Sequence, residues 1–262
     1  MIEIDVFISA YVAMALSVLL LVLIILLIWK KKWLSWKSVG MGILIFIVFA
    51  LVLEQLLHIF LIDRDSGLLK FSNNPYLFVL YGCLAAGIFE EVGRYVGFRF
   101  LLRKNREFGD GLSYGLGHGG IEVIVVTFLS LISLVIISTF INQGMFDALF
   151  SESLTADQLN DVKDQYLNME WFMPLISFLE RIPALALHLS LSLLVLLSVK
   201  RKKKSFLLLA IGFHAIFNFF PGLYQADIVP LWFTEVIIWI FGIGCFWFII
   251  KSRKLFDGET DH

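Results

Sequence analysis

The chain has 262 residues, of which 59% are hydrophobic and 16% charged, with a mean hydropathy of +0.87. Soluble domains carry about 45–50% apolar and about 25% charged residues, so both departures exclude a soluble globular protein and indicate an integral membrane one. The net charge of −1 says nothing about partners, whereas the distribution of charge along the chain orients it.

A transmembrane helix needs about 20 mostly apolar residues. Seven segments qualify, near 6–29, 39–62, 76–101, 112–141, 173–199, 206–222 and 229–250. The sixth is the shortest. The first follows the acidic start Met1-Ile2-Glu3-Ile4-Asp5, where a signal peptide needs a basic region and a cleavage site, and so reads as a membrane span. The connections after the first, third, fifth and seventh segments are basic: Lys30, Lys31, Lys32 and Lys37; Arg103, Lys104 and Arg106; the run Lys200 to Lys204; then Lys251, Arg253 and Lys254. The alternate connections are poor in Lys and Arg, and the stretch 142–172 is acidic. Positively charged loops stay inside, which gives N-terminus out and C-terminus in. The lysine runs are thereby accounted for by topology, and nothing indicates nucleic-acid binding. The expected fold is all-α: a polytopic helical bundle of about seven spans, residues 1–262 forming a single integral membrane domain with a core catalytic bundle over about 76–222.

Along 151–170 a mild helical pattern, with Ser153 or Thr155 as cap, reads as an outer-surface helix or loop, either one that covers the site or meets a substrate or, the favoured reading, a solvated connector. Cys83 and Cys245 lie in apolar runs and read as small buried hydrophobes. Trp33, Trp36, Trp171 and Trp232 suit the membrane interfaces.

Within the spans sit groups that lipid does not tolerate singly. Glu90, Glu91 and Arg94 lie on the third segment, His118 and Glu122 on the fourth, His188 on the fifth, and His214 and Asn218 on the sixth. A charged side chain at the bilayer centre costs about 2.5–3.5 kcal/mol or more. Counting from the inner end of each helix puts most of them roughly 9–18 Å deep, a single layer. Groups at one depth on separate helices lower this cost by meeting one another. His118 and Glu122 share a helix face, as do His214 and Asn218, and Glu90 and Arg94, all at i, i+4. Carboxylates with imidazoles are the equipment for activating water, with or without a metal. Glu180 and Arg181 are adjacent, point apart and need partners on other helices; they read as a buried structural pair. Pro183, between Arg181 and His188, suggests a kink. The glycines around Gly117-His118-Gly119-Gly120 serve close helix packing or leave room for a substrate backbone or a water. His58 reads as a structural hydrogen-bonder and His262 as tail.

Phe89-Glu90-Glu91-Val92-Gly93-Arg94 resembles the Glu-Glu-x-x-(x)-Arg motif of the CAAX-protease and bacteriocin-processing superfamily of intramembrane proteases, and His214-Ala215-Ile216-Phe217-Asn218 resembles its His-x-x-x-Asn motif. With His118, Glu122, Glu180, Arg181 and His188 the set is most similar to the bacterial YhfC branch, classed with intramembrane metalloproteases and related to PrsW-type proteases. The resemblance covers the third to sixth segments, about half the chain. The arginine stands one residue closer to the glutamates than in the usual form. The resemblance implies a multi-pass protein of the bacterial plasma membrane that hydrolyses a peptide bond in or next to the membrane. Glu90 or Glu91 would be the general base, with Glu90 matching by position. His214 would be the downstream histidine, Asn218 would polarise the carbonyl, and the middle histidine would be His118 or His188. Physically, His118, His188 and His214 suffice for Zn2+ with a fourth position for water. Glu90, Glu91, Arg94, Glu122 and Asn218 make up the catalytic set. A metal-free glutamate and histidine mechanism also works. The competing readings are an ion- or proton-coupled transporter and a non-catalytic protein of the bacteriocin-immunity type. The expected partners are the bilayer and a membrane-embedded or membrane-proximal peptide.

Overall fold

The computed structural model describes residues 1–63 and 66–256; His262 lies outside them. Among the described residues the regular structure is helical, with two isolated bridges linking Ile62, Leu69 and Ser72 in place of any strand. Among the described residues, seven helices are long and apolar enough to cross a membrane: α1 (Ile4–Lys30), α2 (Trp36–Leu61), α3 (Pro75–Leu101), α4 (Phe108–Asn142), α5 (Met173–Lys200), α6 (Ser205–Gln225) and α7 (Leu231–Leu255). They are the seven expected segments in the expected order. The sixth stands as a span of its own and runs on through Pro221 to Gln225.

Local chemistry sets several starts. Asn74 accepts from the N–H groups of Tyr76 and Leu77, and Pro75 occupies the first position of α3, where a missing N–H costs nothing. Ser35 caps α2 through Ser38 N–H. Between α4 and α5 the acidic stretch forms a helix, Ala156–Leu167. Thr155 and Gln158 close a reciprocal capping box at its start, and Leu159 is its buried residue.

The chain divides into two compact units, Met1–Val22 with Glu122–Arg181, and Leu23–Ile121 with Ile182–His262. In the first, the Asn142 side chain holds the start of the chain: its Oδ1 accepts from Ile2 N–H at 2.7 Å and its Nδ2 donates to the Ile2 carbonyl at 3.0 Å. Lys163 pairs with Asp147 at 2.6 Å.

The second unit is built around α5. Every residue from Pro183 to Val199 is buried. Of the most apolar stretch of α5 89% is buried, against 17% for α7, so α5 is the core helix and α7 a lipid-facing one. Glycines let the neighbouring helices close in. A Cβ at Gly117 would collide with the Val39 carbonyl of α2, and one at Gly42 with the Tyr114 carbonyl of α4. On the other face of α4, a Cβ at Gly115 would lie 2.7 Å from Leu189 Cα, and one at Gly119 would lie 3.0 Å from His188 Cβ. These glycines are filled by helices, so their role is packing rather than room for substrate.

This yields a stability test. Gly115→Ala places a methyl against α5 backbone that cannot yield, and should lower the unfolding free energy by about 1–3 kcal/mol, as overpacking does. Gly212→Ala meets nothing within 4 Å and should be neutral or stabilising. Thermal unfolding of the two variants in one detergent checks the contrast; equal effects would refute the close-packing role.

Candidate metal and catalytic centre

The second unit brings together the polar groups of four spans. Glu90, Glu91 and Arg94 come from α3, His118 from α4, His188 from α5 and His214 from α6. Each is at most 7% exposed, so bulk water solvates none of them and they must satisfy one another.

Glu90 is the focus. Its Oε2 lies 2.8 Å from His118 Nε2, 3.9 Å from His214 Nε2 and 4.0 Å from His188 Nδ1. The rings pack as well as converge. His118 and His188 stack with centroids 5.0 Å apart, and His188 meets His214 edge-on at 5.5 Å. Phe46 of α2 presses edge-on against His118 at 5.0 Å, fixing its plane from the apolar side.

Glu91 and Arg94, behind the rings, set the ring protons. Glu91 Oε1 accepts from His214 Nδ1–H at 2.8 Å, which leaves the lone pair on Nε2, the nitrogen that faces Glu90. The other Glu91 oxygen pairs with Arg94 at 3.3 Å. Arg94 also donates to the His188 carbonyl at 3.4 Å and to His188 Nδ1 at 3.1 Å. Ser192 Oγ donates to that same carbonyl at 2.8 Å and so holds the backbone of the histidine. The adjacent glutamates thus divide their work. Glu90 faces the imidazoles, and Glu91 faces away to steady His214 and Arg94. Carboxylate-backed histidines of this kind are the rule at protein metal sites.

The donor set fits a divalent ion. Glu90, His118 and His188 belong to a group whose ligand atoms all lie within 4.8 Å of one another. His214 Nε2 lies beside that group, 3.9 Å from Glu90 Oε2. Imidazole nitrogens with a carboxylate oxygen suit zinc and similar first-row ions.

Asn218, one turn beyond His214, lines a cavity of 670 Å³ together with Phe78, Val79, Cys83, Pro221 and Gly222. Glu122 is the first residue of the other unit, where Arg181 approaches it at 3.8 Å. Arg181 also reaches its own neighbour Glu180 at 3.3 Å. The two adjacent side chains, expected to point apart, therefore curl back onto each other, while the Glu122 contact supplies the partner expected on another helix.

One residue of the centre escaped the sequence reading. Glu54 of α2 is buried and lies within electrostatic reach of Glu90 and His214. Its Oε1 is 3.3 Å from His58 Nε2, and His58 Nδ1 is 2.7 Å from the Tyr81 hydroxyl. The signal was present: Glu54 and His58 stand at i, i+4 inside an apolar span, the spacing of His118 and Glu122. His58 is the hydrogen-bonder it was expected to be.

Residues 16–238 match the family model described as YhfC intramembrane metalloprotease. The chain is 35% identical over 250 residues to a Bacillus subtilis (strain 168) protein described as "Uncharacterized membrane protein YhfC", covering 94% of this chain and 97% of that relative. No solved structure matches. Seven apolar helices and a bacterial membrane relative make this a multi-pass bacterial membrane protein. The match along most of its length places the chain in the YhfC intramembrane metalloprotease family.

Proposed function

We propose that this protein is a zinc-dependent endopeptidase that hydrolyses a peptide bond within or next to the membrane. The observation that carries the reading is the convergence of His118, His188 and His214, from three spans, on the Glu90 carboxylate of a fourth, in a buried place.

His118, His188 and His214 would hold the ion. When bound, the ion supplies Lewis acidity, lowering the pKa of water and polarising a carbonyl. Everything else is done by the chain. Glu90 accepts a proton from water as the water oxygen bonds to the scissile carbonyl carbon. It then returns that proton to the leaving amine as the carbon–nitrogen bond breaks. Glu91 keeps His214 in the tautomer with its lone pair inward. Asn218 presents its amide N–H to the substrate carbonyl from the cavity wall. Glu122, one turn along α4 from His118, is a further carboxylate of the proposed set, with Arg181 as its counter-ion.

The cavity supplies the approach. It runs between the Pro75 end of α3 and the Gln225 end of α6, and Asn218 and Cys83 form part of its lining. Its walls are mostly apolar, with Asn218, Gln225 and Asp227 as polar points. Such a cleft suits an extended peptide strand that carries apolar side chains and offers backbone carbonyls.

Three measurements test the scheme. Metal analysis of detergent-purified protein should find about one zinc per chain. That zinc should be lost in His118→Ala, His188→Ala and His214→Ala, and Glu91→Gln should bind it roughly 10–100-fold more weakly. Absence of metal from every preparation would remove the metalloprotease reading and leave a metal-free glutamate mechanism, a transporter or a non-catalytic protein. Glu90→Gln should keep its zinc while cleavage of an unfolded reporter protein drops roughly 10²–10⁴-fold. Unchanged cleavage would deny Glu90 the part of base. Cys83→Phe fills the cavity without touching the histidines. It should lower cleavage at least about tenfold with zinc content unchanged; full activity would show that substrate enters elsewhere.

A further inference from the structure

We propose that Arg94 competes with the metal for His188, so that the guanidinium is the resident cation of the metal-free site and must leave this ring before the third histidine can ligate. The inference rests on the metal-site reading above and specifies how that site is assembled.

A guanidinium has donors and no acceptor. Arg94, at 3.1 Å from His188 Nδ1, therefore donates to a lone pair on that nitrogen, and the ring proton sits on Nε2. Nδ1 is also the nitrogen that faces Glu90 Oε2, at 4.0 Å. The atom best placed to ligate thus already serves one cation, and its single lone pair cannot serve two. Ligation through Nε2 offers no escape. It would move the ring proton to Nδ1 and set an N–H against the Arg94 N–H. By either nitrogen, metal on His188 and Arg94 on His188 exclude each other.

His118 and His214 meet carboxylates where His188 meets a guanidinium. Glu91 turns the Nε2 lone pair of His214 inward, and the Nε2–H of His118 donates to Glu90, a proton that a bound cation would displace without another cation having to move. They form the first two points of attachment, and His188 is the last. Arg94 has somewhere to go. Its other contacts are Glu91 at 3.3 Å and the His188 carbonyl at 3.4 Å, so rotating one N–H away from the ring leaves the guanidinium held by the carboxylate. Full burial of Arg94 and Glu91 keeps this exchange local, since no water is at hand to solvate the arginine elsewhere. Arg94 is accordingly a positioning residue that sets metal affinity through His188.

The test is a double-mutant cycle on zinc affinity, read by competition with a chromophoric chelator at one pH in detergent. The four proteins are wild type, Arg94→Gln, His188→Gln and the double variant. Arg94→Gln should bind zinc roughly tenfold more tightly than wild type. In the His188→Gln background the same change should give little or no gain. An equal gain in both backgrounds would overturn the proposal, because it would mark a general charge effect rather than competition for one ring. Weaker or unchanged binding in Arg94→Gln would overturn it too, making the arginine a structural brace. If Arg94→Gln does not fold, Arg94→Lys carries the same cycle. It retains the charge at Glu91 but loses the planar fork that reaches His188, and it should show the same dependence on His188. Zinc bound by none of these proteins would defeat the metal reading itself, whereas zinc bound without coupling between Arg94 and His188 would defeat this inference alone.

Discussion

Burying charge away from water is the constraint that shapes this molecule. Two adjacent carboxylates on α3 and a fully buried arginine one turn on would each be untenable alone in an apolar span. They persist because Arg94 spans Glu91 and His188, Glu91 spans Arg94 and His214, and Glu90 gathers the imidazoles. Removing one member strands the others, so the cluster acts as a single ionic unit fixed to four helices. It also fixes the register of those helices, since sliding α3 by one turn would part every pair it makes with α4, α5 and α6 at once.

That unit demands close helices, and the glycines of α4 provide them. A histidine side chain reaches only a few ångströms from its backbone. For His118 to share an oxygen with α3 while stacking on His188 of α5, α4 must lie tight against its neighbours. Gly115 and Gly119 remove the side chains that would hold α5 off, and Gly117 does the same toward α2. The small residues thus serve chemistry indirectly, through the distances they permit. The buried run Pro183–Val199 makes α5 the fixed post against which this spacing is set.

Much of this was legible because ionisable groups in apolar spans are rare and helical periodicity is simple. Spacing within one helix predicted that Glu90, Glu91 and Arg94 would be near one another, and depth counting put the histidines in one layer. The split between Glu90 and Glu91, one inward and one backing His214, follows from their 100° separation on α3, yet which faces which depends on where α6 lies. The Arg94–His188 contact joins residues 94 apart and left no trace in any local pattern. Glu54 was overlooked for a different reason. It sits alone on a span otherwise free of carboxylates, and its value appears only when α2 packs beside α3. Spacing put Asn218 on the His214 face, and the motif it resembles implied a part in the chemistry, but its place in a cavity wall required the packing of α3 against α6.

Irregular turns of helix fall at places that matter. Glu54 closes a wide π-type turn over Ile47–Glu54, and Glu122 immediately precedes another over Val123–Phe128. A π turn inserts one residue without ending the helix, so it rotates everything beyond it by about 100°. On α2 this rotation helps to set which way Glu54 and His58 face, because most of that span is apolar and supplies little preference of its own. Regular α-helix over 47–54 would carry the same residues past the same depth with the carboxylate aimed elsewhere. The irregularity costs some backbone hydrogen bonding in a medium that offers no water to replace it, and such a cost is sustained where it turns a buried polar group toward its partners. The turn thus places Glu54 against His58, and through His58 against Tyr81 of α3.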